Sequence, residues 1–452
     1  MSDERINLLI STIKKLSSRG AKTNIQKIFV KTHTADIALI LEAFSGKQQL
    51  ELFEMEPSLE NRAEILSHFD SETQKKLLSA LDHEMVSKLV GLMESDDAAD
   101  LLGELSEEES SKILSQMDLE DSDEVADLLS YPEDSAGGLM GTNFLPLGED
   151  LTVEQAIQAI QVEEDDVPIL FYIYIINENE NLLGVLSLKQ LLLSRKTEIL
   201  KDIMSSDVIS VPLDMSQTEV ARIVERYDFL SIPVVNGNNH LEGVITVDDV
   251  IDVIREEAEE DLLAMGQAGL EVSASVLEHF KARAPWIVFS YFGGILSLAL
   301  VSYIKADIGA NESWLGLWGV IGFLPLVLSV GATVGNQTST IIVSAIIGSK
   351  LNRGQFKTYF LKELILAFIV STLVSFMTLG LGYWASSDIQ LTISISLVLF
   401  LQVMLSSVLG GVIPFGMNPL GKEAALNIIP VFNMVAEITA LILVIVCFMY
   451  IL

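Results

Sequence analysis

Past residue 284 the chain turns apolar in five long runs, at about 285–304, 316–348, 361–385, 389–413 and 424–452. Each meets or exceeds the roughly 20 residues a helix needs to cross a hydrocarbon core. The pattern before that point is different. Residues 1–130 alternate apolar and polar positions at helical spacing in short segments. An Ala-acid pair followed by apolar residues recurs as Ala35-Asp36, Ala63-Glu64, Ala99-Asp100 and Ala126-Asp127, at intervals of 28, 36 and 27 residues. That spacing predicts stacked helical hairpins, with an irregular helical bundle as the other arrangement it allows.

From residue 136 the pattern becomes mixed. "FYIYIINENENLLGVLSLKQLL" (171–192) predicts a strand, a turn, a strand and a helix start, and "LSIPVVNGNNHLEGVITVDDVIDVI" (230–254) repeats that order about 60 residues later. A helical pattern precedes each, "LTVEQAIQAIQ" and "DMSQTEVARIVERY". Two α/β modules side by side are expected. These residues resemble a tandem pair of CBS domains, whose hydrophobic–Gly–Val–hydrophobic–Ser/Thr signature stands here as Gly184-Val185-Leu186-Ser187 and Gly243-Val244-Ile245-Thr246. The resemblance implies ATP or another adenylate as a ligand, with Asp249 on the ribose. The first module has Gln190 at the matching place.

Charge sharpens the division. The formal net charge of the 452 residues is -34. Residues 281–452 hold only 8 of the 28 basic and 6 of the 62 acidic residues, so the first 280 carry 56 acidic against 20 basic. Such a surface repels phosphates and argues against nucleic acid; it favours cations. Residues 255–280 open as "REEAEED" and are expected to form a connecting helix, solvated or in contact with cations. Lys281 and Arg283 precede the first apolar run, Lys350, Arg353, Lys357 and Lys362 lie between the second and third, and Lys422 precedes the fifth. That asymmetry predicts a cytoplasmic N-terminus and an outside C-terminus in the plasma (inner) membrane. The N-terminus carries no signal-peptide pattern. One cysteine, Cys447, excludes a disulfide framework, and no His falls within an apolar run. No phosphate loop or nucleophile–base pair suggests an enzyme.

Polar residues inside the apolar runs carry the candidate chemistry. In the second run, Gly331, Gly335, Asn336 and Gln337 follow Pro325. They line an ion path, or, for the small residues, allow close helix packing. In the last run Asn433 and Glu437 are four apart and share one helix face. An amide and a carboxylate suit an oxygen-liganded hard cation, and magnesium keeps its waters at such sites. A two-fold axis would bring two copies of Glu437 onto one path. A protonated glutamic acid bonded between helices is the plainer alternative.

Three blocks, "YPEDSAGGLM" (131–140), "GVITVDDVIDVIREEAEED" (243–261) and "VGATVGNQ" (330–337), make the whole chain resemble the MgtE-type magnesium channels. The resemblance implies a multi-domain fold: an all-α helical-repeat N-domain (1–135), an α/β tandem CBS pair (136–199 and 200–254), an acidic connecting or plug helix (255–280), and an all-α membrane domain of five spans (281–452). It also implies a homodimer in lipid, carrying Mg2+ and gated closed by intracellular Mg2+. The regulatory ions would lie among Asp96, Asp97, Asp100, Asp248, Asp249, Asp252, Glu256, Glu257, Glu259, Glu260, Asp261 and Glu423. The family's pore Asp stands here as Glu437, which leaves a manganese or cobalt transporter open. A proton-coupled exchanger and a non-conducting cation or adenylate sensor are the other readings.

Overall fold

Two units, Met1–Ile254 and Arg255–Leu452, make up the chain in this computed structural model. It describes residues 3–44, 46–162, 171–270, 272, 274–308, 315–348, 353–386, 389–417 and 429–450.

The first unit opens with eleven short helices among the described residues. They are α1 (Asp3–Ser18), α2 (Lys22–Phe29), α3 (Thr34–Glu42), α4 (Lys47–Phe53), α5 (Leu59–Ser67), α6 (Ser71–Ala80), α7 (His83–Val90), α8 (Ser95–Gly103), α9 (Glu107–Leu114), α10 (Leu119–Leu128) and α11 (Ala136–Leu139). Ser58, Asp70, Asp82 and Ser106 each accept a backbone N–H of the following helix, so the sequence itself sets these starts. Alternate helices stack, α3 on α5, α5 on α7, α7 on α9, and α8 on α10. The four Ala-acid pairs fall in α3, α5, α8 and α10. The longer middle interval is the step from one row of the stack to the other.

Both α/β modules follow. The first has β1 (Pro146–Gly148), α12 (Val153–Val162), β2 (Tyr172–Ile176), β3 (Leu182–Ser187), α13 (Leu188–Leu193) and α14 (Leu200–Ile203). The second has β4 (Val211–Pro212), α15 (Gln217–Tyr227), β5 (Ser231–Val235) and β6 (Leu241–Thr246), then α16 (Val247–Met265). Each sheet has one parallel and one antiparallel pairing, with a register shift at the same place in β2 and β5. The signature glycines are packing devices. A Cβ at Gly184 would stand 2.3 Å from Met204 sulfur, and one at Gly243 2.6 Å from Met140 sulfur. Each methionine precedes the other module, so the modules interlock. Tyr174 and Ser231 join them by a buried hydrogen bond of 2.9 Å.

Helix α16 differs from the expected connecting helix. It starts at Val247, within the second module, and runs unbroken to Met265 rather than to 280. Gln267 and Gly269, at φ 57° and 70°, turn the chain out of helix. Its acidic half is also not simply solvated. Leu263 and Ala268 pack with Ile341, Ile342, Ala345, Ile346 and Tyr359. Glu259 is buried, with Arg255 Nε 3.5 Å from its carboxylate.

Five helices of the second unit are long and apolar enough to cross a membrane: α17 (Val276–Ile308), α18 (Leu315–Ile347), α19 (Arg353–Ser386), α20 (Ile389–Met417) and α21 (Ile429–Tyr450). Proline and glycine do not break α18, which is continuous through Pro325, Gly331 and Gly335. Ser275 and Glu278 bond reciprocally to each other's backbone N–H and start α17 about nine residues before its apolar run. That places Arg283, expected as a flanking charge, inside the helix. It also places His279 there, buried and with neither ring nitrogen bonded.

Arg283 is 2% exposed and forms a two-pronged pair with Glu363 of α19, Nη1 to Oε1 at 2.8 Å and Nη2 to Oε2 at 3.0 Å. Tyr359 OH donates to Glu363 Oε2 at 3.0 Å, while Thr338 and Ser407 hydroxyls lie 2.5 and 3.1 Å from Oε1. Four helices therefore meet on one carboxylate. Removing one member strands a buried charge, whereas replacing both by apolar residues does not. Glu363→Ala is expected to lower unfolding free energy by about 3–5 kcal/mol. The double change Arg283→Met with Glu363→Leu should cost clearly less. Thermal unfolding in detergent compares the two.

Candidate ion sites

Two sets of acids face each other in the first unit. Asp96 and Asp97 lie in the first turn of α8, and Asp248 and Asp249 in the first turn of α16. The segment between α11 and β1 holds them there. Gly141 exchanges two backbone bonds with Val244 of β6, and Thr142 N donates to Ser95 Oγ at the start of α8 at 3.0 Å. The Asp96 carboxylate lies against Gly141, 3.6 Å from where a Cβ would stand. Asp249 Oδ2 accepts from Thr246 N and Oγ1 at 3.2 and 2.6 Å.

Burial first, and the neighbouring carboxylates second, push these groups above the usual carboxylate range: Asp96 to about 6 and Asp249 to about 7. Glu94 and Asp97 rise as well, to about 7 and about 6. Asp96 and Asp97 feel Asp248, and Asp97 also feels Asp252. Asp96 Oδ1 is buried without a hydrogen-bond partner. Mutual repulsion plus an orphaned oxygen fits a cation. Among the described residues, though, no three His, Cys, Asp or Glu side chains are arranged to hold one. Asp100 is exposed on the same helix.

The remaining acids divide. On α16, Glu256, Glu260 and Asp261 are exposed, Glu257 is half-buried and Glu259 is committed to Arg255. Glu423 lies outside the described residues.

In the membrane half, Gly331 and Gly335 make contacts between helices. A Cβ on Gly335 would stand 2.1 Å from the Phe432 ring, one on Gly410 2.4 Å from Gly335 O, and one on Gly331 2.8 Å from Gln402 Cγ. So α18, α20 and α21 approach closely here, and α18 and α21 run in opposite directions. Gln337 is fully buried and donates to Gln267 O at 3.1 Å, which ties α18 to the turn after α16. Asn336 and Asn433 are each half-buried with an unpartnered, buried Oδ1. Glu437 is exposed on the outward face of α21 beside Met434, Ile438 and Leu441, while Phe432, Ala436 and Ala440 face inward.

Sequence reasoning passed over the Arg283–Glu363 pair and Gln402. The signal for Gln402 was present, an amide in mid-span in "LFLQVML".

Comparison with known proteins accounts for most of the chain. Residues 32–134 match the model of the MgtE intracellular N domain, residues 136–196 and 200–256 the CBS domain, and residues 324–447 the divalent cation transporter model MgtE. The magnesium transporter MgtE of Thermus thermophilus is 30% identical over 325 residues, 71% of this chain and 70% of that one. The chain belongs to the MgtE family. MgtE of Bacillus subtilis is 28% identical over 318 residues, 70% of this chain and 69% of that one. The crystal structure of the soluble part of a magnesium transporter superposes with a TM-score of 0.52 at 27% identity, covering 56% of this chain and 99% of that one. The cytosolic domain of the Mg2+ channel MgtE in complex with ATP superposes equally, at 30% identity over 54% and 99%.

The acid cluster makes a pH prediction. Carboxylates raised in the folded state bind more protons folded than unfolded between about pH 4 and 7, so stability falls as pH rises through that range. A divalent cation takes the protons' place. Mg2+ titrated at pH 6.5 is expected to release protons, and Asp96→Asn with Asp249→Asn to reduce the release. Calorimetry in buffers of different ionisation enthalpy measures it.

Proposed function

We propose that this MgtE-family chain carries Mg2+ across the membrane as a homodimer, with Glu437 of both copies on the ion path. The observation that carries the reading is a carboxylate standing on an otherwise apolar outward face of a membrane helix. Hydrocarbon is a costly neighbour for that group, whereas a second copy of α21 or a water-filled path is not. Asn433, one turn before it, and Asn336 offer amide oxygens without partners. Neutral oxygens and carboxylates suit a hard, hydrated cation.

The soluble unit fits the role of sensor. Cations drawn between α8 and α16 offset the repulsion among Asp96, Asp97, Asp248 and Asp249 and favour the compact, closed state. Loss of cations favours opening, and a few weak sites suffice to switch states a few kcal/mol apart. Asp249 is held by Thr246 and stands beside Asp96 and Asp248, so an adenylate at the CBS pair would share that residue with the cations. Positive charge between the second and third spans supports a cytoplasmic soluble unit.

A second reading, transport of manganese or cobalt, draws on Glu437 itself, one methylene longer than the family's Asp. Softer ions usually recruit His or Cys. Cys447 is buried in the apolar core of the second unit, and His279 is buried among α17, Tyr359 and Glu363. Mg2+ is therefore the substrate favoured here.

Uptake into proteoliposomes tests the path. Glu437→Ala is expected to reduce Mg2+ uptake by tenfold or more, about the effect of one lost ion-contacting charge. Glu437→Asp should keep uptake and change the Mg2+ to Mn2+ ratio. Uptake unaltered by Glu437→Ala removes Glu437 from the path. For the sensor, millimolar Mg2+ should slow proteolysis of segment 255–280. Cleavage indifferent to Mg2+ argues for transport without this gate.

A further inference from the structure

We propose that Gln402 is the positioning residue for Glu437, an assignment that rests on Glu437 lying on the ion path. Gln402 sits midway along α20 and is 1% exposed. Its Nε2 donates to Ala436 O on α21 at 3.0 Å and lies 3.0 Å from Ser406 Oγ. Ala436 O also accepts from Thr439 Oγ1 at 2.8 Å. That carbonyl belongs to the peptide group that begins Glu437. Fixing its plane fixes the direction in which the Glu437 side chain leaves the helix.

The inward face of α21 explains why such a tether is needed. Phe432, Ala436 and Ala440 are small or apolar and meet their neighbours by shape alone. The Phe432 ring seats against Gly335 one turn earlier, and the Gln402 bond adds a directional, polar contact at Ala436 itself. Gln402 is itself held in place, because only a glycine at position 331 leaves space for its Cγ. Its Oε1 is buried and unpartnered, so it can accept from a water in an ion's hydration shell at this level.

The test uses the full chain in proteoliposomes, with Mg2+ and Mn2+ uptake measured separately. Gln402→Met keeps the length and removes the donor; Gln402→Leu removes it with a branched apolar side chain. Both are expected to shift the Mg2+ to Mn2+ ratio by about threefold to tenfold, the range set by losing one buried hydrogen bond. The ratio does not depend on how much protein folds. Combined with Glu437→Asp, the shifts should not multiply independently. A ratio unmoved by either variant, or shifts that simply multiply, overturns the proposal.

A second readout works even without flux. With Glu437→Cys in a Cys447→Ser background, the rate of labelling by a water-soluble thiol reagent should change about threefold or more on adding Gln402→Met. An unchanged rate overturns the proposal as well. Glu437→Ala separates the two assignments. If it leaves flux and ratio intact, the ion-path reading itself fails. If it alters them while the Gln402 variants do nothing, only the positioning role fails.

Discussion

Where water is absent, every polar group has to be satisfied from within the protein, and that constraint organises the membrane half of this chain. Glu363 answers it most completely, since five donors from four helices converge on its two oxygens, two of them from Arg283. Around that point the helices approach as closely as backbone allows, through Gly335, Gly410 and the Phe432 ring. The amide oxygens left over belong to Asn336, Gln337, Gln402 and Asn433. All are acceptors, and all lie on α18, α20 and α21. Surplus acceptors in a dry interior call for something positive.

The first unit answers an opposite problem. It gathers carboxylates instead of separating them, and its fold holds them together by uncharged means: the Gly141–Val244 bridge, the Ser95–Thr142 bonds and a shared apolar core running from α1 to the second α/β module. The price is a set of acids that hold protons well above their ordinary range. Packing and uncharged bonds supply the stability, so the cluster can change its charge state without dismantling the frame around it.

Much of this architecture was legible in the residues. Helical periodicity, strand–turn–strand repeats and apolar runs are local signals, and they gave the order of elements, the two α/β modules and the five spans. Burial and pairing are not local. Arg283 and Lys281 look alike as flanking charges, but the Ser275–Glu278 cap starts the helix early and carries Arg283 inward. Glu259 looks like any other acid in a charged run until Arg255 and the end of α18 close over it. Gly331 and Gly335 were open to two readings, lining a path or allowing close packing, and their lack of side chains serves contact in an unbroken helix. Glu437 announced itself because a lone acid in an apolar run has few explanations.

The Arg283–Glu363 pair also has a bearing on biosynthesis. The guanidinium leaves the ribosome 80 residues ahead of the carboxylate it ends up bound to. At ordinary elongation speeds of 5–20 residues per second, that is an interval of roughly 4–16 seconds. During it the nascent α17 holds a cation that its own helix cannot neutralise. The four-helix junction around Glu363 can therefore close only after the third of the five apolar helices has been made.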